Sequence, residues 1–183
     1  MLLSCRALME MATMHPKTYF AHAIMLLGSF FVEASPSLAF DRAKLDTFFT
    51  TKSCKYCDLS EADLSGRNMR GADLENAQMS KAKLSGSDLS ALPMEKRTKR
   101  ANLQSANLRS ADLTNANLAN AAAAGAYFRE ANLTSADLSG ADLSSANLQD
   151  ANLTNATLDG AKLDNAKFCR TLMPDGSKND SGC

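Results

Sequence analysis

The chain has 183 residues, 45% of them hydrophobic, with twenty basic and twenty acidic side chains and a formal net charge of zero. Such a balance excludes a molecule-wide attraction for nucleic acid or for an anionic membrane surface. The absence of tryptophan and an aromatic content of 6% exclude a broad aromatic core.

Residues 1–39 read as a signal peptide. Lys17 precedes an uncharged apolar run that ends at Val32, and Ser37-Leu38-Ala39 supplies the small residues of a signal-peptidase site, so cleavage is expected after Ala39. Met14 offers an alternative start. The run is short for a membrane span, and no stable membrane insertion is expected once the leader is removed. Residues 40–52, FDRAKLDTFFTTK, place Leu45, Phe48 and Phe49 on one face at helical spacing, which predicts a short amphipathic helix.

A five-residue period then takes over. Large apolar residues recur at Leu59, Leu64, Met69, Leu74, Met79, Leu84 and Leu89, each two residues after a position that is small in most units (Ala62, Ala72, Ala77, Ala82, Ser87). LPMEKRTKR, residues 92–100, interrupts the pattern as a surface excursion marked by a proline and four bases. From Ala101 to Ala166 alanine returns every fifth residue through fourteen units, followed two residues later by Leu103, Leu108, Leu113 and so on to Phe168. A period of five fits neither a strand nor a helix. Two positions of five face a core and three face water, so the chain must turn a corner in every unit.

These units resemble pentapeptide repeats of the A(D/N)Lxx type. The resemblance implies an all-β fold, a right-handed quadrilateral β-helix in which four units make one coil and each side chain stacks on the one twenty residues along. Seven units before the excursion and fourteen after it give about five coils over residues 53–173, a rod on the order of 25 Å long at about 4.8 Å per strand. Residues 92–100 are then a surface loop and residues 174–183 a C-terminal tail. A solenoid ends in bare apolar core and an open ladder edge, so the helix over 40–52 is expected to cap the first coil.

Removal of the leader leaves Cys54, Cys57, Cys169 and Cys183. An even count in an exported chain reads as disulfides. Cys57 and Cys169 are separated by more than five coils, roughly 27 Å along the axis at the sheet spacing, whereas a disulfide needs Cα atoms within about 7 Å. Pairing is therefore confined to each end: Cys54 with Cys57, and Cys169 with Cys183. The second bond would staple the tail over the last coil, worth about 3 kcal/mol in the chain-entropy model. Cys54 and Cys57 also admit a reading as buried thiols or as a redox dithiol, although SCKYCDL leads into the repeat rather than into a helix start. A four-cysteine zinc site fails on the same distance.

Three places depart from the repeat. Arg67 stands where a small inward residue belongs, and an unpartnered buried guanidinium is costly, so its head is expected to reach water, with an anion site as the alternative. Ala123 replaces the inward leucine between Leu103 and Leu143, with Phe128 beside it to fill the space. Ala122 and Ala124, with Tyr127 on the next face, form a small apolar patch on the wall. This patch and the bases Lys96, Arg97, Lys99 and Arg100 are the candidate protein-binding residues.

No catalytic constellation is expected. His15 and His22 leave with the leader, no glycine-rich phosphate loop or serine with a candidate base is present, and a convex rod excludes no water. No cofactor or metal is expected either. Among pentapeptide-repeat proteins, strongly acidic duplex-DNA mimics bind DNA gyrase, but this chain is near neutral. The segments KSCKYCDLSEADLSG and AKFCRTLMPDGS instead resemble exported cyanobacterial or chloroplast members of the thylakoid lumen or periplasm. The sequence thus reads as a monomeric, non-catalytic structural or protein-binding module of that compartment. An enzyme regulator acting by surface mimicry and a redox-responsive lumenal protein switched at Cys54 and Cys57 are the alternatives.

Overall fold

The computed structural model describes residues 42–95 and 97–183. The expected leader with its cleavage site, the start of the expected cap and Lys96 lie outside the described residues.

Helix α1 spans Arg42–Thr51. Phe48 is fully buried in the same apolar cluster as Leu59 and Leu64, and Leu45 and Phe49 pack against that cluster. This is the face that the helical spacing predicts. Phe49 also explains Arg67. The guanidinium is exposed and lies over the Phe49 ring at 5.2 Å, while Lys52 approaches the same ring at 5.9 Å. The aromatic face supplies the partner that the small inward position could not. Ser87, one level along, is buried, and its hydroxyl makes no hydrogen bond.

From Ser53 to Leu172 the backbone forms single parallel bridges, one per unit, that fall on four ladders. The first joins Ser53, Asp73, Asn102, Ala122, Asp142 and Lys162. The second joins Asp58, Gln78, Asn107, Tyr127, Asn147 and Lys167, the third Asp63, Lys83, Asp112, Asn132, Asn152 and Leu172, and the fourth Asn68, Asp88, Asn117, Asp137 and Thr157. Each rung is held twice: Leu103 N–H donates to the Ala122 carbonyl at 2.7 Å, and Ala122 N–H donates back to Ala101 at 2.8 Å. Leucines and alanines of successive units fill the space between the ladders, with Leu113, Leu133 and Leu153 all fully buried. Ala123 and Phe128 are buried in the same cluster.

The corner follows from the last two residues of each unit. Ala106 N–H donates to the Leu103 carbonyl at 3.0 Å, and Ser105 between them has φ 54°. A positive φ at the third residue of a four-residue turn is the type II arrangement. It recurs at Asn115, Asn120, Asn155 and Gly160, which accounts for asparagine and glycine at this position, since both tolerate the left-handed region. The Asn or Asp at the second position of the unit has its own task. Its Oδ1 accepts the backbone N–H two residues on, as from Gln104 to Asn102 at 3.1 Å and from Ser144 to Asp142 at 3.1 Å. This Asx turn fixes the entry to the corner.

The clamps make stability depend on acid. Hydrogen bonds from Ser144 to Asp142, and from Ser65 to Asp63, hold both carboxyls below the ordinary value of 3.8. A carboxyl whose folded pKa is depressed contributes stability that is fully present above its unfolded pKa and is lost as pH falls through the folded one. The urea midpoint is therefore expected to fall as pH drops below 3.8. Asp142→Asn, which keeps the acceptor and removes the titration, should shallow that dependence; an unchanged profile would remove Asp142 from the account.

Partners within a ladder are twenty residues apart, except between Asp73 and Asn102, Gln78 and Asn107, Lys83 and Asp112, and Asp88 and Asn117, where the offset is twenty-nine. The nine residues of the excursion are thus looped out whole, and Ala91 leads into Ala101 with the five-residue phase intact. Within the exposed excursion two short strands pair. Strand β1, Leu92–Met94, pairs antiparallel with β2, Arg97–Lys99, Leu92 opposite Lys99 and Met94 opposite Arg97. Its base lies on the wall at Gly71, where a Cβ would stand 3.0 Å from Leu92 and 3.2 Å from the Lys99 carbonyl.

Strand β3, Thr171–Leu172, pairs with β4, Lys178–Asn179, and Leu172 adds a rung to the third ladder. The end of the tail returns to the last level, where Gly182 N–H donates to the Phe168 carbonyl and Asp180 Oδ1 accepts the Arg170 N–H at 2.8 Å, while Leu158, Leu163 and Phe168 are half-buried. No helix among the described residues is long and apolar enough to cross a membrane.

Candidate functional site

The four sides of the solenoid are polar, and their charges pair from rung to rung. Lys55 meets Glu75 at 2.7 Å, Arg109 meets Glu130 at 3.1 Å, and Arg170 grips Asp150 through two hydrogen bonds. Ser110 and then Arg109 hold the Glu130 carboxyl below its ordinary range, and Arg170 does the same for Asp150. Exposed pairs of this kind contribute about 0–1 kcal/mol each. Their effect is to cancel the field along each face, so no side presents a continuous acidic or basic stripe.

Against this wall the hairpin is the exception. Leu92 and Met94 are 37% and 56% exposed on β1, and Arg97, Lys99 and Arg100 are exposed beside them. Arg100 leads into the first ladder, where its charge helps to lower the pKa of Asp142. Ala122 sits on that ladder between Asn102 and Asp142, half-buried, with Ala124 half-buried after it. Tyr127, 52% exposed, occupies the neighbouring rung of the second ladder. The structure thus brings Arg100, Ala122 and Ala124 onto one side and Tyr127 onto the next. The apolar contribution of Leu92 and Met94 escaped the sequence reading, which weighed the excursion by its charges alone.

The four cysteines of the described residues lie in two groups, one at each end of the repeat. The sulfurs of Cys54 and Cys57, and those of Cys169 and Cys183, stand at disulfide distance, with Cα atoms 5.4 and 4.8 Å apart. Both separations fall within the usual range of roughly 4.4–6.8 Å. Cys54 is buried and Cys57 half-buried, and together with Thr47, Ser53 and Lys55 they line a hollow of about 380 Å³. Among the described residues no group of three or more histidine, cysteine, aspartate or glutamate side chains could hold a metal ion.

The family pattern for pentapeptide repeats matches the sequence in eight copies, over residues 57–91, 99–134, 111–150 and 136–173. The chain belongs to the pentapeptide repeat family. Members form right-handed quadrilateral β-helices, and the four parallel ladders are the four sides of that fold. The family is generally one of structural, non-catalytic repeats. No protein of curated function matches the sequence. Among solved structures, the chain is similar to the pentapeptide repeat protein Rfr23 from the cyanobacterium Cyanothece 51142, at 27% identity and a TM-score of 0.66 over 72% of this chain and 98% of that one. It also matches a pentapeptide repeat protein from the thylakoid lumen of Arabidopsis thaliana, at 26% identity and a TM-score of 0.29 over 69% and 83% of the two chains. A third match is QnrB1, a plasmid-mediated fluoroquinolone resistance protein, at 23% identity and a TM-score of 0.45 over 62% and 61%.

Proposed function

We propose that this pentapeptide repeat protein is a non-catalytic, monomeric module that acts after export, in a thylakoid lumen or periplasm, and presents its solenoid to a partner protein. On this reading residues 1–39 are the removed signal peptide, residues 40–52 cap a β-helix of about five coils over 53–173, and residues 174–183 form the tail. Two cysteine pairs at bonding distance, one at each end, suit an oxidising compartment, and they are read as the disulfides Cys54–Cys57 and Cys169–Cys183.

The observation that carries the docking site is the hairpin. It sets exposed leucine and methionine beside Arg97, Lys99 and Arg100, whereas wall bases such as Lys55 and Arg109 are paired with carboxylates. An apolar centre with a basic rim suits a partner with an acidic border. Mimicry of duplex DNA is the weaker reading, because the chain has no net charge and bases stand against acids on its wall, as at Lys55–Glu75 and Arg109–Glu130. A redox role at Cys54 and Cys57 would add a switch and would not replace the docking surface.

The test is a pulldown from a periplasmic or lumenal extract with wild type and with the triple variant Arg97→Gln, Lys99→Gln, Arg100→Gln. A partner retained by wild type and lost at least tenfold by the variant is expected. Equal recovery of every captured protein would dismiss the hairpin as the docking site.

A further inference from the structure

The two cysteine pairs stand in different electrostatic settings. At the end of the repeat Cys169 is 6% exposed, whereas Cys183 is open to solvent. Arg170 grips Asp150 through Nε at 2.6 Å and Nη2 at 2.8 Å, and its remaining nitrogen, Nη1, donates to the Cys169 sulfur at 3.6 Å. The Cys183 sulfur has Asp180 Oδ1 at 3.7 Å, and the same oxygen accepts the Arg170 N–H at 2.8 Å. One sulfur of the pair thus faces a guanidinium and the other a carboxylate.

The pair beside α1 is set otherwise. Cys54 is buried, and the Cys57 sulfur lies 2.9 Å from the Cys54 carbonyl oxygen. Lys55, in the hollow next to them, is taken up by Glu75 at 2.7 Å and Asp73 at 3.2 Å. Thiol–disulfide exchange depends on access to the sulfur attacked and on the stability of the thiolate that leaves. A guanidinium beside a sulfur favours its thiolate, and a carboxylate disfavours it. Asp150 offsets part of the Arg170 charge, but it occupies the other two nitrogens and leaves Nη1 to the sulfur.

We infer that Cys169–Cys183 is a thiol–disulfide exchange site whose substrate is a dithiol reductant; this rests on the reading of the pair as a disulfide. A thiolate of the dithiol attacks the exposed Cys183 sulfur and forms a mixed disulfide with it. The Cys169–Cys183 bond breaks, and Cys169 leaves with the electron pair as a thiolate that Arg170 Nη1 stabilises. The second thiolate of the reductant then attacks its own sulfur in the mixed disulfide and releases Cys183. The dithiol is oxidised to a disulfide by two electrons, and the two protons it gives up pass to the cysteines. The end of the tail is left with the hydrogen bonds of Gly182 to Phe168 and of Arg170 to Asp180, so reduction loosens residues 180–183 from the last level. The site is independent of the hairpin and would persist if the docking proposal failed.

Timed reduction of the full chain by dithiothreitol, quenched by alkylation and read by peptide mapping, tests the inference. Cys169–Cys183 is expected to open at least tenfold faster than Cys54–Cys57. With glutathione in place of the dithiol, and alkylation of the thiol released, the mixed disulfide should be found on Cys183 and not on Cys169. Arg170→Gln should slow reduction of Cys169–Cys183 at least fivefold and leave Cys54–Cys57 unchanged. A purely structural Arg170 gives the opposite sign, because a looser tail admits the reductant faster. Asp150→Asn, which weakens the same grip but keeps the guanidinium, should not slow the reaction. Equal rates at the two pairs, glutathione on Cys169, unslowed reduction in Arg170→Gln or equal slowing in Asp150→Asn would overturn the inference and leave the disulfides in place. Free thiols at all four positions before any reductant is added would remove the disulfide reading, and the inference with it.

Discussion

Replacing Leu133 by alanine is expected to lower the unfolding free energy by about 2–5 kcal/mol, the range for emptying a leucine site that cannot collapse. Leu133 is fully buried, with Leu113 and Leu153 one level to either side. Its backbone is fixed on both flanks, by Leu133 N–H to the Asn152 carbonyl at 2.7 Å and by Ala136 N–H to the Leu133 carbonyl at 3.0 Å. The ladders leave the wall no freedom to move inward, so the cavity persists. Leu163→Ala, two levels nearer the half-exposed end, removes the same group from a site with no further level over it. Its loss should be less than half as large. Urea unfolding of the two variants beside wild type checks the contrast, and equal losses would mean that the ladders do not hold the mid-rod site open.

The same contrast shows why the sequence revealed the fold so fully. Burial in this architecture depends on position within five residues, and alanine and leucine report that position directly. Helix α1 was equally legible, because Leu45, Phe48 and Phe49 lie on one face of a single short helix. Other features depended on which units come to lie side by side. Arg67 meets Phe49 only once α1 lies beside the first level, so sequence spacing could give its exposure but not its ring partner. Asp180 reaches the Arg170 N–H only once β4 has turned back beside β3. A signal for the corners was present and passed over. Asn, Gly and Ser gather at the fifth position because it takes positive φ, as at Ser105, Asn115 and Gly125.

Removing nine residues should do far less harm than removing one. Deletion of residues 92–100 joins Ala91 to Ala101 and restores an offset of twenty on all four ladders, and requires Ala91 to take the positive φ that the fifth residue of the other units holds. The rungs from Asp73–Asn102 to Asp88–Asn117 need only the partners they already have. The costs are the contacts of Leu92 and Lys99 at Gly71 and the bond from Arg70 to the Ala91 carbonyl at 3.1 Å. The excised protein should therefore keep its circular dichroism spectrum and unfold within about 2 kcal/mol of wild type, on the scale of one or two lost hydrogen bonds. Deletion of Asn120 alone shifts every later unit by one residue against the level below. Ala121 would carry the corner, Leu133 would turn toward water, and polar residues such as Arg129 and Thr134 would face the core, as any one-residue slip in register demands. Because each level is stabilised by its neighbours, that fault should leave the levels after residue 120 unfolded, seen as proteolysis confined to the C-terminal half. Native-like protease resistance throughout the Asn120 deletion would show that the ladders tolerate a change of phase, and the nine-residue excursion would then need no special explanation.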